Sequence, residues 1–258
     1  EKNTYDNPII LAGGYGTRLG KLTKLKPKPM VDVCGKPILE HIINIYKKYD
    51  YKEFVICVGY KSEVIRSFFK KKYKKSILKD TNKELKIKSK NISFTIVDTG
   101  KNTLTGGRIK RIQKYVKDSK FFHMTYGDGL ANIDIKKLTN FHNKNKKVAT
   151  VTTVKIQIPQ ERFGVVYFKN KNTVKKFVEK PNIKEIYING GFFVLTNKIF
   201  KYIHGDKTRW EAKPLQQIAN KKQLAAFKHN GFWKCMDTPR DRIFLEKFKK
   251  KYPWKLKN

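Results

Sequence analysis

A glycine-rich loop with basic residues is the part of the sequence best suited to bind phosphate. The first apolar run continues into LAGGYGTRLGKLTKLKPKPM. Gly13, Gly14 and Gly16 allow a ligand to approach the backbone closely, and successive N–H groups in such a loop form a concave anion site. Arg18 can contact phosphate oxygens in a bidentate manner, and Lys28 can supply a point charge. The stretch therefore predicts a triphosphate site, the alternative being a glycine turn without a ligand.

The glycine spacing matches neither of the two familiar nucleotide-binding loops. Gly14, Gly16 and Gly20 follow GxGxxxG, whereas a dinucleotide-binding loop requires GxGxxG. A P-loop would require glycine at Tyr15 and serine or threonine at Leu22. The loop is thus predicted to bind phosphate in a way that differs from both.

Two carboxylates stand out in a chain that has 59 Lys and Arg but only 21 Asp and Glu. Asp128 lies in TYGDG after an apolar run, and Asp237 lies in GFWKCMDTPRD. Magnesium prefers carboxylate oxygens together with the phosphates of a substrate, so the pair is a candidate Mg²⁺ site if the two residues meet. The alternatives are a turn residue for Asp128 and a helix N-cap for Asp237.

A third group of residues could bind a sugar phosphate. Glu179 and Lys180 lie in FVEKPN, and Asn189 and Gly190 lie in INGGFFVL. Glutamate and asparagine side chains hydrogen-bond hydroxyl groups, and lysine can neutralise a phosphate monoester. A surface Glu-Lys pair and a Gly-Gly turn are the alternatives.

The net charge of +38 is the most unusual bulk property. It would favour polyanions such as nucleic acid in a salt-dependent manner. The lysines, however, are spread along the whole chain, which is also typical of a solvated lysine-rich surface. The charge alone therefore leaves a nucleic-acid partner open without indicating one.

Short apolar runs alternate with longer helical patterns along the chain. The predicted strands are Ile9–Ala12, Glu53–Val58, Ser93–Val97, Phe121–Thr125, Val148–Val154, Gly164–Phe168 and Gly190–Leu195. Helical periodicity is found in PILEHIINIYKKY, KSEVIRSFFKKKY, TGGRIKRIQKYV and IKKLTNFHNKN. The alternation predicts a three-layer α/β fold with a mostly parallel central sheet, in which ligands lie at the carboxyl ends of the strands.

No linker or internal repeat divides the sequence, so residues 1–258 are predicted to form a single domain, with residues 1–7 as an N-terminal extension. The polar segment 77–90 is interpreted as a peripheral excursion. No stretch approaches the roughly 18 apolar residues of a membrane span, and the N-terminus is polar. The three cysteines, Cys34, Cys57 and Cys235, are widely spaced. These features predict a cytoplasmic protein with no membrane partner.

The order of the motifs resembles that of the nucleotidyltransferases acting on sugar 1-phosphates. The resemblance spans residues 8–254 and is carried by LAGG-GTRL, KPKPM, GKPILEHII, VDTG, TGGRIKR, TYGDG, FVEKP, INGGFFVL, RWE and GFWKCMDTPRD. VDTG followed by TGGRIKR, and GFW before MDT, are similar to the cytidylyl branch of that family. The resemblance implies a Rossmann-like nucleotide-diphospho-sugar transferase fold with a mixed, mostly parallel central sheet.

The resemblance also implies roles for residues at matched positions. The implied nucleotide site comprises Leu11, Ala12, Gly13, Gly14, Tyr15, Gly16, Thr17, Arg18, Lys28, Thr103, Arg108 and Gly127. The implied catalytic residues are Arg18, Lys28 and Asp128. Mg²⁺ would be held by Asp128 and Asp237, and the sugar phosphate by Glu179, Lys180, Asn189 and Gly190.

The activity implied is transfer of a cytidylyl group from CTP to glucose 1-phosphate by a magnesium-dependent homo-oligomer. Its product, CDP-glucose, would serve the synthesis of deoxyhexoses of surface polysaccharides such as the lipopolysaccharide O-antigen. Two alternatives remain at this point: a relative that uses UTP or dTTP, and a non-catalytic relative that binds polyanions or nucleic acid.

Overall fold

The computed structural model describes residues 7–156, 165–179 and 186–255. The strands are β1 (Ile9–Ala12), β2 (Asp32–Val33), β3 (Lys36–Pro37), β4 (Glu53–Val58), β5 (Ile77–Asp80), β6 (Glu84–Ser89), β7 (Ile92–Asp98), β8 (Phe122–Tyr126), β9 (Gly129–Ala131), β10 (Ala149–Ile156), β11 (Val165–Phe168), β12 (Val174–Val178), β13 (Ile186–Leu195), β14 (Leu224–His229) and β15 (Trp233–Cys235). The α-helices are α1 (Ile38–Lys47), α2 (Ser62–Lys72), α3 (Thr105–Arg111), α4 (Ile135–Asn145), α5 (Lys213–Asn220) and α6 (Pro239–Glu246). Short 3₁₀ helices cover Thr17–Thr23, Lys28–Met30, Lys74–Ser76, Gln113–Tyr115 and Asn197–Tyr202.

Nine strands form one mixed sheet in the order β14-β10-β13-β8-β1-β4-β7-β6-β5. Strands β8, β1, β4 and β7 are parallel neighbours. Antiparallel strands join on both sides, because β13 pairs in that sense with β8 and β10, and β6 with β7. The predicted mixed α/β fold is confirmed.

The two faces of the sheet bury two separate apolar clusters, which gives the predicted three layers. In β1 the side chains alternate: Ile10 packs with the cluster that contains α1, and Ile9 with the cluster that contains Ile109 of α3. Leu138 of α4 and Leu245 of α6 belong to the first cluster. A strand that is buried on both faces reads as a continuous apolar run, which is why β1 could be located from the sequence.

The parallel strands β1, β4, β7 and β8 all end at the same edge of the sheet. The glycine-rich loop follows β1, and the segment that carries Asp128 follows β8. This edge is therefore the place where loop residues distant in sequence come together.

Segment 77–90 differs from the sequence-based interpretation, because it supplies two strands of the main sheet. β5 and β6 form the sheet edge beyond β7, and Leu85 and Ile87 are buried there. The predicted strand at residues 164–168 is present as β11, but it pairs with β12 in a separate ribbon. Gly164 lies outside the described residues.

All three cysteines are free thiols. Among the described residues, no helix is both long enough and apolar enough to cross a membrane.

Two buried histidines make stability depend on pH. His123 is fully buried beneath Tyr51 and Thr139, and His142 is buried beside Thr150, with 2.9 Å between Nδ1 and the threonine Oγ1. Burial, with Lys120 adding to it, lowers the pKa of His142 to about 4. Burial also lowers the pKa of His123 to about 3, with a smaller contribution from His142. Below a pH of about 6.5 the unfolded chain binds protons that the folded chain excludes, so stability falls as pH falls.

We expect the His142→Asn variant to lose less stability than the parent between pH 7 and pH 5. The parent should lose about 2 kcal/mol through this histidine over that interval, because each unit of pKa difference corresponds to about 1.4 kcal/mol. Urea unfolding at both pH values measures the difference, and His204→Asn, at an exposed position, is the control. Equal losses in the parent and in His142→Asn would contradict this account.

Candidate active site

A cavity of about 570 Å³ lies at the carboxyl ends of the parallel strands. Most of the predicted site residues line it: Leu11, Ala12, Gly13, Gly14, Tyr15, Gly16, Arg18, Lys28, Thr103, Arg108, Gly127, Asp128, Asn189, Gly190 and Asp237. Thr17 and Glu179 are not part of its wall, and Glu179 is exposed at the end of β12. Lys180 lies outside the described residues. The structure therefore brings both predicted metal residues and every predicted nucleotide residue except Thr17 together around one cavity.

The glycine loop leaves room for a ligand where its glycines face the cavity. A Cβ atom added at Gly14 would meet nothing within 4 Å. Gly16 has φ 61°, in the left-handed region, and a Cβ atom there would lie 3.0 Å from Cβ of Lys28. At Gly13 an added Cβ would collide with the guanidinium group of Arg108. Both Gly13 and Gly16 are thus required for the loop to pack against charged side chains.

Arg108, which the resemblance assigned to the nucleotide site, also holds the loop in place. It is only 3% exposed. Its Nη2 donates to the carbonyl of Gly13 at 2.8 Å, and its Nη1 donates to Gly100 O and Thr99 Oγ1, both at 2.8 Å. A longer bond of 3.3 Å reaches Val58 O. No carboxylate is among these partners, and burial lowers the pKa of the guanidinium group. One buried cation therefore ties the ends of β1, β4 and β7 together.

The two predicted carboxylates meet at a single lysine. The Nζ atom of Lys28 lies 3.1 Å from Oδ2 of Asp128 and 2.8 Å from Oδ1 of Asp237. Nη1 of Arg18 lies 2.5 Å from Oδ2 of Asp237. Burial acts to lower the pKa of Lys28, but the attraction of both carboxylates outweighs it and raises the pKa above its ordinary value. Two acids and two bases from distant segments thus form one charge cluster, which we call the Lys28 cluster (Arg18, Lys28, Asp128 and Asp237).

A turn and a strand pairing position the two aspartates. Asp128 lies in the turn between β8 and β9, as the turn interpretation expected. Strand β15 pairs with β9, so that Cys235 lies opposite Gly129, and Met236 N donates to Asp128 O at 2.8 Å. Asp237 follows directly after this pairing. It therefore reaches the cavity through a two-stranded ribbon rather than through a helix.

The N-cap interpretation of Asp237 is wrong. The N-cap of α6 is Thr238, whose hydroxyl forms a capping box with Asp241 at the third helical position. Asp241 accepts from the backbone N–H groups of both Asp237 and Thr238. Thr238 and Asp241 thereby cap the start of α6 without the Asp237 side chain. The Asp237 carboxylate is left to pair with Lys28.

Lys28 is positioned by the prolines on either side of it. Pro27 and Pro29 restrict the backbone around the short helix Lys28–Met30. Pro29 is also packed against the next loop, since a Cβ atom at Gly127 would lie 2.8 Å from its Cγ. The lysine stem is thereby fixed between the glycine loop and the turn of Asp128.

A polar network at the cavity wall is not identified from the sequence; it joins the lining residues Tyr126 and Thr105 to Glu211, which is not itself part of the wall. Tyr126 Oη donates to Glu211 Oε1 at 2.7 Å, and Thr105 Oγ1 donates to Glu211 Oε2 at 2.7 Å. Nδ2 of Asn189 lies 3.4 Å from the Tyr126 hydroxyl. Burial, with Glu211 next in size, raises the pKa of Tyr126. Tyr126 stands two residues before Asp128 in the TYGDG motif, which was the available signal; the carbonyl of Gly190 accepts from Trp233 Nε1 on the same wall.

The described residues contain no group of three or more His, Cys, Asp or Glu side chains that could hold a metal ion. Asp128 and Asp237 are nevertheless two oxygen donors about a single cationic atom. A magnesium site commonly has one or two carboxylates and takes its remaining ligands from substrate phosphates and water. The pair fits a metal that binds together with a phosphorylated substrate.

Known proteins resemble this chain over most of its length. The sequence matches the Nucleotidyl transferase family over residues 7–242, a range that includes the glycine loop and both aspartates. It is 43% identical over 255 residues to the glucose-1-phosphate cytidylyltransferase of Salmonella typhimurium, covering 96% of this chain and 98% of the relative. It is 38% identical over 245 residues to the probable glucose-1-phosphate cytidylyltransferase of Bacillus subtilis, covering 93% and 94%. The fold is similar to the crystal structure of HddC from Yersinia pseudotuberculosis, with a TM-score of 0.68, 26% identity, and coverage of 95% of this chain and 100% of that chain.

We expect Arg108→Met to destabilise the protein by about 2–3 kcal/mol, because the carbonyl groups of Gly13 and Gly100 would lose a buried donor. Urea unfolding measures the loss. Arg111→Met on the same helix is the matched control, since its ion pair with Asp206 lies at the surface and such pairs contribute about 0–1 kcal/mol. Equal stabilities of the two variants would contradict the role given to Arg108.

Proposed function

The chain belongs to the nucleotidyl transferase family, and from this premise we propose that it transfers a cytidylyl group from CTP to α-D-glucose 1-phosphate. The products would be CDP-glucose and pyrophosphate. The observation that supports this most directly is the Lys28 cluster beside the glycine loop, where two carboxylates and two cations face one cavity. The choice of CTP and glucose 1-phosphate rests on the names of the relatives with 43% and 38% identity.

The nucleotide would occupy the side of the cavity formed by the glycine loop. Backbone N–H groups of residues 11–18 would contact the triphosphate, with Arg18 and Lys28 supplying positive charge. Thr103, Arg108 and Gly127 line the same side. Tyr15 and Asn102 both line the cavity, and the Tyr15 hydroxyl donates to Asn102 Oδ1 at 2.6 Å. Asn102 is thus a further candidate nucleotide residue.

Asp128 and Asp237 would hold Mg²⁺ together with the phosphates of the nucleotide, in agreement with the donor set described above. Bound there, Mg²⁺ would act as a Lewis acid that stabilises negative charge on the reacting phosphate. Neither carboxylate is required as a general base, because the attacking phosphate oxygen of glucose 1-phosphate is already an anion.

The reaction would be an in-line displacement at the α-phosphorus of CTP. A phosphate oxygen of glucose 1-phosphate forms the new bond to that phosphorus, the bond to the bridging oxygen breaks, and pyrophosphate leaves with the electron pair. The main barrier is the repulsion between two polyanions. Arg18 and Lys28 would lower it by positioning and neutralising the phosphates, and no covalent enzyme intermediate is needed.

The sugar would lie against the wall formed by Tyr126, Asn189 and Gly190, with Glu211 hydrogen-bonded to Tyr126. The Tyr126 hydroxyl and the Asn189 amide can each donate or accept a hydrogen bond with a sugar hydroxyl, and the Glu211 carboxylate can accept one. Glu179 and Lys180 stay predictions for the sugar phosphate, because the described part of the structure does not bring Glu179 to the cavity wall.

The first test is pyrophosphate release with glucose 1-phosphate and Mg²⁺, with CTP, UTP, dTTP, ATP and GTP measured in parallel. We expect release with CTP to exceed release with each of the others. Faster release with UTP or dTTP would overturn the base assignment. No release from folded protein with any nucleotide would favour the alternative that a chain of +38 charge binds polyanions, and the steep salt dependence of such binding would identify it.

Separate substitutions test the roles of the cluster. We expect Lys28→Ala and Asp128→Asn each to lower turnover by about 10²–10³-fold, the effect typical of losing one positioned charge at a reacting centre. Steady-state pyrophosphate release measures turnover, and circular dichroism checks the fold. Lys26→Ala, which removes a surface pair with Asp32, is the control. Near-parental turnover in Lys28→Ala or Asp128→Asn would rule out the assigned roles.

A further inference from the structure

The Lys28 cluster is internally neutral, because its two carboxylates are already paired with two cations. The Lys28 ammonium group bridges Asp128 and Asp237, and the Arg18 guanidinium group takes a second oxygen of Asp237. We propose that Lys28 and Arg18 keep this pair of carboxylates closed to a divalent cation until a triphosphate draws both cations away, so that metal and nucleotide enter the site together. This inference rests on the proposed function.

The ammonium group of Lys28 lies where a metal ion shared by the two aspartates would be expected. Nζ of Lys28 lies 3.1 Å and 2.8 Å from one oxygen of each aspartate, which places it between the two oxygen donors that a metal ion would share. The Lys28 side chain is 13% exposed. In such a partly buried setting the attraction between unit charges is several times stronger than in water. A metal ion alone must therefore compete with a cation that is covalently attached to the site.

The balance of charge in the Lys28 cluster also disfavours binding of a metal ion alone. Two carboxylates and two basic side chains leave no net negative charge to attract a free divalent cation. A triphosphate changes this balance, since its oxygens offer Arg18 and Lys28 new partners. Once the basic side chains contact phosphate, the two carboxylates become available to the metal that the nucleotide carries.

The structure leaves the two basic side chains different freedom to move. Arg18 is 74% exposed and can leave Asp237 without disturbing any packing. Lys28 is held by its stem alongside the glycine loop, because a Cβ atom at Gly16 would lie 3.0 Å from its Cβ and 3.4 Å from its Cε. A rotation of the end of the lysine side chain is therefore enough to move Nζ from the carboxylates to a phosphate on the loop.

Binding of Mn²⁺ without nucleotide, followed by electron paramagnetic resonance of the free ion, tests the closed state. We expect Lys28→Met to bind Mn²⁺ at least about tenfold more tightly than the parent protein, because the competing cation is gone. Arg18→Met, at an exposed position, should increase Mn²⁺ affinity by less than Lys28→Met does. This variant replaces Lys28→Met in the test if Lys28→Met does not fold. Lys26→Met is the matched control for a general loss of positive charge and should bind Mn²⁺ like the parent.

The same measurement with the Mn²⁺ complex of inorganic tripolyphosphate tests the exchange of partners. Here the order should reverse, with Lys28→Met binding the complex at least about tenfold more weakly than the parent. A lysine with a merely structural role would not give opposite effects in the two experiments. Unchanged Mn²⁺ affinity in Lys28→Met without tripolyphosphate, or an equal increase in Lys26→Met, would overturn the proposal. Because tripolyphosphate has no base, this result is independent of which nucleotide supports pyrophosphate release.

Discussion

The arrangement of the site depends on the contact of one ammonium group, that of Lys28, with two carboxylates. Asp128 and Asp237, whose oxygens lie 3.1 Å and 2.8 Å from the same ammonium nitrogen, would repel each other without a cation between them. Each belongs to a different part of the chain. The end of β8 supplies the first, the β9–β15 ribbon the second, and the proline-flanked turn after the glycine loop supplies Lys28. The sheet edge, the ribbon and the loop therefore each place one charged side chain at the same point of the cavity.

The buried guanidinium group of Arg108 fixes the glycine loop at the same edge of the sheet. A loop rich in glycine has few side chains with which to pack, so its conformation must be fixed through its backbone. Arg108 does this from below by donating to Gly13 and Gly100. Its hydrogen-bond partners are carbonyl groups and the Thr99 hydroxyl rather than carboxylates, so its positive charge has no direct ion pair beneath a loop to which we assign the triphosphate. Anchoring of the loop and attraction of an anion thus depend on one side chain.

How far the sequence predicts this structure depends on the range of the interactions involved. Strands β1 and β4 and helix α4 have the bounds that their apolar patterns predicted, since burial on both sheet faces or on one helix face leaves a clear periodicity. Strand β6 is missing from the sequence-based prediction because lysine at alternate positions makes it resemble a polar loop, although it pairs with both β5 and β7 and its Leu85 and Ile87 are buried. The glycine loop and both aspartates were recognised from local motifs. Tyr126 and Glu211 are hydrogen-bonded but 85 positions apart in sequence. No local sequence pattern marks such a pair, so only the three-dimensional structure identifies it.

The β9–β15 ribbon also places a sulfur atom next to the acidic pair, since Cys235 immediately precedes the short link to Asp237. Burial, with the negative charge of Asp128 adding to it, raises the pKa of the Cys235 thiol well above its ordinary value. Thiolate is the form that attacks electrophiles and is oxidised, so a thiol held in its protonated form is chemically inert. The carboxylate that we assign to the metal therefore also makes the neighbouring thiol a weaker acid, which leaves less of the reactive thiolate at neutral pH.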